Sequence, residues 1–178
     1  MGDISIAVMN ITNADVDAIV NAANEGLQAG GGVCGAIFKN AGHDELQKAC
    51  DAIGGCDTGG AVITPGFALK ARYVIHAVGP VWRGGRNGEA ELLASCYSES
   101  IRVAVENGCK TIAFPLISSG IFGYPKEEAW RVALTACADT LSRYGDLAPD
   151  VTFCVLGEES HELGSSVLRE LAGQGTRS

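Results

Sequence analysis

Along the chain the spacing of apolar positions switches repeatedly between a period of two and a period near ~3.6, the mark of strands alternating with helices. Ile4, Ile6 and Val8 alternate with smaller residues and predict a strand. A turn at 10–15 leads to a second short apolar run, Ala18 to Val20, which ends in Asn21-Ala22-Ala23-Asn24. After Gly30-Gly31-Gly32, residues Val33 to Ala41 read as a helix, and a second helix, His43 to Ile53, follows Gly42. Ala61 to Thr64 and Tyr73 to Val78 are strands bounded by Gly and Pro. Leu93, Tyr97, Ile101 and Val105 fall on one face of a helix that Asn107-Gly108 terminates. Thr111 to Ile117 is apolar almost throughout, as in a strand buried on both faces. Pro125 suits the first turn of the next helix, which turns Ala129, Ala133, Cys137 and Leu141 inward. Val151 to Leu156 makes a last strand, and Leu163, Val167, Leu168 and Leu171 a last helix. Strands interleaved with helices predict an α/β fold, a sheet covered on both faces in a three-layer α/β/α sandwich. One domain over 1–173 is expected, with 174–178 as a frayed tail.

Composition narrows the class. Of 178 residues 47% are hydrophobic and 19% charged, values that exclude a disordered chain. Glycine departs from the norm: 24 residues, against a usual share of about 7%, with no collagen period. These glycines mark loops where the backbone turns sharply or approaches something closely. The formal charge of −8 argues against a general nucleic-acid binder or an anionic-membrane binder. It leaves room for an anionic small ligand held by backbone N–H groups. Seven cysteines are scattered with no C-x-x-C pair, which fits reduced core thiols better than zinc or disulfides. Met1-Gly2-Asp3 runs straight into a strand pattern without a signal-peptide profile, and no apolar stretch approaches a membrane span, so a cytoplasmic location is expected.

Two glycine-rich loops carry the candidate chemistry, each after a strand and before a helix. The first runs from Asn24 to Val33 and the second from Ser118 to Pro125. In open α/β sheets ligands bind beyond the carboxyl ends of strands, where a helix N-terminus offers free N–H groups and a positive dipole end. Neither loop has the spacing of a nucleoside-triphosphate loop or a dinucleotide fingerprint. Tight connections without a ligand would also use glycine. The occurrence of two such loops favours a phosphate or diphosphate ligand. His76 lies in an apolar strand and reads as a core histidine; His43 and His161 sit at helix starts. Asn10-Ile11-Thr12 is a glycosylation sequon in form only.

Gly2-Asp3-Ile4, Val20-Asn21-Ala22-Ala23-Asn24, Gly30-Gly31-Gly32-Val33, Ile75-His76-Ala77-Val78-Gly79-Pro80 and Pro115 to Gly123 occur in order. Together they closely resemble the macrodomain family of ADP-ribose-binding modules, which includes O-acetyl-ADP-ribose deacetylases and ADP-ribosyl hydrolases. The resemblance runs from about Gly2 to Leu171 and implies a mixed central sheet. It assigns Asp3 to the adenine amino group, with the Ile4 backbone beside it, and Asn24 to the distal ribose. It lays Gly31, Gly32 and Val33 against the distal ribose and diphosphate. Ser118, Ser119, Gly120, Ile121 and Phe122 become the diphosphate loop, with Phe122 packing over the distal ribose.

Two departures bear on activity. Hydrolytic relatives often carry Asp after Gly-Gly-Gly-Val, and that acid is taken to orient or activate the attacking water; here the position is Cys34. A thiol is a poor acceptor and ordinarily ionises near ~8.5, although a helix N-terminus can favour the thiolate. Leu156 stands where relatives often place an aromatic residue against adenine. Asn24 and Cys34 are therefore the catalytic candidates for hydrolysis of an ester on ADP-ribose, either O-acetyl-ADP-ribose or ADP-ribosylated acidic side chains. A binding module without turnover, favoured by Cys34, and a phosphatase acting on phosphorylated ADP-ribose are the alternatives. The implied partners are ADP-ribose, its esters and mono-ADP-ribosylated proteins, with no cofactor and no metal.

Overall fold

A computed structural model describes residues 2–175. Its strands are β1 (Ile4–Val8), β2 (Ala18–Ala23), β3 (Ala61–Pro65), β4 (Tyr73–Val78), β5 (Thr111–Phe114) and β6 (Asp150–Val155). They form one sheet in the order β1-β6-β5-β2-β4-β3. Every neighbouring pair is parallel except β3 with β4, so the sheet is mixed with one antiparallel edge. The helices are α1 (Gly32–Ala41), α2 (His43–Ile53), α3 (Glu89–Glu106), α4 (Lys126–Tyr144) and α5 (Glu158–Gly175).

The period of two sorts side chains to opposite faces of the central strands. Ala18 and Val20 of β2, with Ile75 and Ala77 of β4, join a core built with Tyr97, Trp130 and Ala133 of α3 and α4. Ile19, Ala23, Val74 and Val78 face the other way, onto Ile37, Phe38, Leu46 and Cys50 of α1 and α2. The sheet is thus covered on both faces, as its apolar strands predict. All seven cysteines are free, and only Cys56 is more than marginally exposed. Burial pushes the thiols of Cys50 and Cys154 up to about 11 and that of Cys96 to about 12. Cys34, Cys50 and Cys154 belong to the α1/α2 core, and Cys96, Cys109 and Cys137 to the α3/α4 core.

Several boundaries differ from expectation: β2 runs on to Ala23 rather than ending at Val20, and β6 spans Asp150–Val155 rather than Val151 to Leu156. Strand β5 stops at Phe114 rather than Ile117, because Pro115 has no N–H to continue a ladder. The Ile117 N–H instead donates to the buried Tyr97 hydroxyl at 2.9 Å. Pro125 caps α4 from just outside, at φ −56. Helix α5 runs on to Gly175, so the first part of the expected frayed tail is helical; 176–178 lie outside the described residues. Among the described residues no helix is long and apolar enough to cross a membrane.

Candidate functional site

At the carboxyl ends of β1, β6, β5 and β2 the two glycine loops face each other across a cavity of about 520 Å³. That size lies within the ~300–1,000 Å³ typical of small-molecule sites. Gly31, Gly32, Val33 and Cys34 line one side, and Ser118 to Phe122 the other. Ile11, Ala22, Leu116, Val155 and Leu156 supply apolar surface between them.

The first loop is held from behind. Asn24 Nδ2 donates to the Gln28 carbonyl at 2.8 Å, and its Oδ1 accepts from the Gln28 N–H at 2.9 Å. From α2, Gln47 Nε2 donates to the Leu27 carbonyl, and its Oε1 accepts from the Ala29 N–H. This bracing leaves Gly31 and Gly32 as a free rim where α1 begins. In the second loop, Ser119 Oγ donates to Leu116 and the Tyr124 N–H donates to Ser118, closing a tight turn. Ser118 adopts φ +68, uncommon for a residue with a side chain, and its buried hydroxyl packs over Gly79, where any side chain would collide. The loop's shape is therefore imposed by its neighbours.

The backbone N–H groups of Gly31, Gly32, Gly120, Ile121 and Phe122 donate to no other described residue. Among the described residues the cavity is lined by no carboxylate, and its only charged lining residue is Lys126, the first residue of α4. Lys126 has no ion-pair partner among the described residues. In a chain of charge −8, a cavity lined by unsatisfied N–H groups and a lone ammonium is chemically suited to an anion.

Cys34 is 7% exposed and packs inward: its Sγ lies 3.7 Å from Asn21 Nδ2 and donates to the Gln28 carbonyl at the same distance. Behind it, Asn21 Nδ2 lies 3.1 Å from His76 Nδ1, and His76 Nε2 lies 3.0 Å from Thr64 Oγ1. Desolvation holds His76 at about 4, so it is neutral at physiological pH and serves as a partnered core residue.

Two expected contacts are misplaced, and a third is recast. Asp3 and Ile4 lie at the amino end of β1, where the Asp3 N–H donates to Asp150 and the Asp3 carbonyl accepts from the Val151 N–H. They border a different surface depression, with Leu141 and Leu168. A parallel strand order puts the ligand cavity at the opposite ends of the strands, so neither residue reaches it. Residues that do arrive there from the other end of β1 are Met9, Asn10 and Ile11. Asn10 Oδ1 accepts from the Thr12 N–H and hydroxyl, caps a short helical turn and turns the chain at the rim. Asn24 does not line the cavity; it shapes the loop that does. Sequence reading also passed over Lys126 and Ser160, for which position just after a glycine loop or strand end was the available signal.

Residues 20–133 match the family model described as Macro domain. The chain belongs to the macro domain family. Macro domain-containing protein CT2219 of Chlorobaculum tepidum is 50% identical to this macro domain over 159 residues, 89% of this chain and 91% of its own. ADP-ribose glycohydrolase MACROD2 of Xenopus laevis is 48% identical over 162 residues, covering 90% of this chain and 38% of its own. The Oceanobacillus iheyensis macrodomain solved with ADP superposes with a TM-score of 0.89 at 36% identity, over 95% of this chain and 91% of that one. The Trypanosoma brucei macrodomain in complex with ADP-ribose gives a TM-score of 0.84 at 36% identity, over 92% and 68%. The mixed sheet and five helices of this macro domain are the family's fold.

Proposed function

We propose that this macro domain binds ADP-ribose and hydrolyses an ester at its distal ribose, either O-acetyl-ADP-ribose or ADP-ribose carried on an acidic side chain. The observation that carries the reading is the facing pair of glycine loops, with N–H groups that no other described residue satisfies and no carboxylate between them. That arrangement suits a diphosphate flanked by two sugars. The relatives named for ADP-ribose chemistry or solved with ADP-ribose support the ligand. The adenosine end lies against Ile11, Val155 and Leu156, and the distal ribose against Gly31, Gly32 and Phe122.

No carboxylate in the cavity can act as general base, and Cys34 is occupied in packing. Hydrolysis then relies on positioning: the loops hold the ester, and the ligand's own diphosphate polarises an attacking water in a partly desolvated site. Asn24 contributes by fixing the first loop, and one amide hydrogen remains to it beyond the Gln28 bond. A second reading, an ADP-ribose reader without turnover, is favoured by the same packing of Cys34.

Calorimetry with ADP-ribose, NAD and ATP tests the ligand: one site for ADP-ribose and much weaker binding of the other two are expected. Equal affinity for ATP would refute the distal-ribose pocket. Incubation with O-acetyl-ADP-ribose and with mono-ADP-ribosylated protein, followed by mass, separates enzyme from reader.

A further inference from the structure

Between β4 and α3, residues 82–88 form no regular element, yet they are firmly held. Glu89, 2% exposed, accepts from the N–H groups of Arg83 at 3.0 Å and Gly85 at 2.8 Å through Oε2. Its Oε1 accepts from the Asn87 N–H at 2.6 Å, so the backbone curls around one buried carboxylate. Asn87 Nδ2 closes the loop on the Arg83 carbonyl. On the other side, the Trp82 N–H donates to the Phe122 carbonyl at 2.8 Å, and the Trp82 ring lies 4.7 Å from that of Tyr124. Gly85 lies directly over the same indole, where a Cβ would come within 2.7 Å of it. The segment is thereby fastened to the second glycine loop at Phe122, on the wall of the cavity.

This rigid loop presents Arg83 and Arg86 outward. Both are exposed, and neither pairs with a carboxylate among the described residues. Val81, 44% exposed, adds an apolar spot beside them. Arginines held on a fixed backbone, rather than on a mobile tail, lose less freedom when they bind, and their planar groups match carboxylates two bonds at a time. Elsewhere the chain, with 21 acidic and 13 basic residues, repels an acidic partner.

We propose that the Arg83–Arg86 loop is the docking surface for the protein that carries ADP-ribose, and that it selects acidic residues flanking the modified side chain. The inference rests on the proposed reading of the cavity, in which the distal ribose, and so the attached protein, emerges beside Phe122. Free ADP-ribose does not reach the loop and is indifferent to it.

The test uses the full chain and two peptides carrying ADP-ribose through a non-hydrolysable amide, one with Asp and Glu flanks and one with Asn and Gln in their place. Wild type is expected to bind the acidic peptide ~3–10-fold more tightly, the scale for two exposed ion pairs, with the preference fading at high salt. Arg83→Glu/Arg86→Glu is expected to lose or invert that preference while keeping its affinity for free ADP-ribose within about twofold. Equal binding of the two peptides by wild type, or a preference that survives in the double variant, overturns the docking surface and leaves the ADP-ribose reading standing. Failure of wild type to bind free ADP-ribose overturns both.

Discussion

Replacing Cys34 by Asp puts a carboxylate where the cavity has none. Its consequences can be worked from what surrounds the thiol. Asn21 Nδ2, now 3.7 Å from Sγ, would donate to the carboxylate, a charge-assisted bond worth ~1.5–3 kcal/mol. The position lies in the first turn of α1, where a partly buried anion gains ~0.3–2 kcal/mol from the dipole. Against these stand the desolvation of a site only 7% exposed and the Gln28 carbonyl, which accepts from the thiol and would repel an anion. The balance is a net loss of about 1–3 kcal/mol, and for a domain of this size each kcal/mol lowers Tm by ~2–4 °C. A correctly placed base is worth ~10²–10⁴ in rate, so Cys34→Asp should raise turnover at least ~10-fold. ADP-ribose affinity should stay within a few-fold, because the diphosphate is held by the loops. A net penalty of that size raises the new carboxyl's pKa by roughly one to two units, at ~1.4 kcal/mol per unit. The gain should therefore grow as pH rises through about 5–6 and level off by neutrality. Cys34→Ala, which removes only packing, should keep most of the wild-type rate. The assay is product mass from O-acetyl-ADP-ribose and from mono-ADP-ribosylated protein, with calorimetry on the same preparations. A folded Cys34→Asp protein that binds ADP-ribose normally and gains no turnover would refute the idea that this position limits catalysis.

Lys126→Ala should weaken ADP-ribose about fivefold, from the ~1 kcal/mol of an exposed charge contact. The effect should vanish toward 1 M salt, where the Debye length is ~3 Å; an equal effect on adenosine would exclude a diphosphate contact. His76, held at about 4 against ~6.5 for a free imidazole, takes up its proton in the unfolded chain first as pH falls. Stability is thus full above ~6.5 and declines toward pH 4, by about 2 kcal/mol at pH 5; urea unfolding of His76→Gln should show this slope flattened, and an unchanged slope would sink the assignment. In α5, a Cβ at Gly164 would lie 2.7 Å from the fully buried Trp130 ring and 2.9 Å from Ile6. Overpacking of ~1–3 kcal/mol therefore outweighs the ~1 kcal/mol helix gain of alanine, and a rise in Tm for Gly164→Ala would contradict this packing.

Where local pattern and global fold agree, the elements were legible to the residue. Helix α2 and strand β4 match the periodicity at both ends, because glycine at 42, 54 and 79 punctuates runs of one clear period. Strand β5 was overextended because hydrophobicity continues past Pro115 while hydrogen bonding does not. The glycine loops were visible as loops, and the structure brings them together across one cavity. Asp3 misled because the Gly-Asp-Ile triplet matched the family by its letters, although its place before the first strand already put it at the amino end; the carboxyl-end rule, applied to β1, points to Asn10 and Ile11. The unpaired ammonium of Lys126 and the carboxylate-centred loop at Glu89 depend on contacts between segments, which no local pattern encodes.

The partition of cysteines between the two cores has a use of its own. Thiolates, not thiols, react with alkylating reagents; burial raises the thiol pKa of Cys50, Cys96, Cys109, Cys137 and Cys154, and it limits access at every cysteine but Cys56. Labelling of Cys50, Cys96, Cys109 and Cys137, which do not line the cavity, therefore requires the chain to open, and its rate reports local opening free energy without any engineered probe. Cys50 reports the layer under α1 and α2, while Cys96, Cys109 and Cys137 report the layer under α3 and α4. A ligand seated against Cys34 and Cys154 shields those two directly, whatever the layers do. Slowing of Cys96, Cys109 and Cys137 together with Cys50 by the same ligand would mean that the two layers open as one cooperative unit, with the sheet between them as the common element.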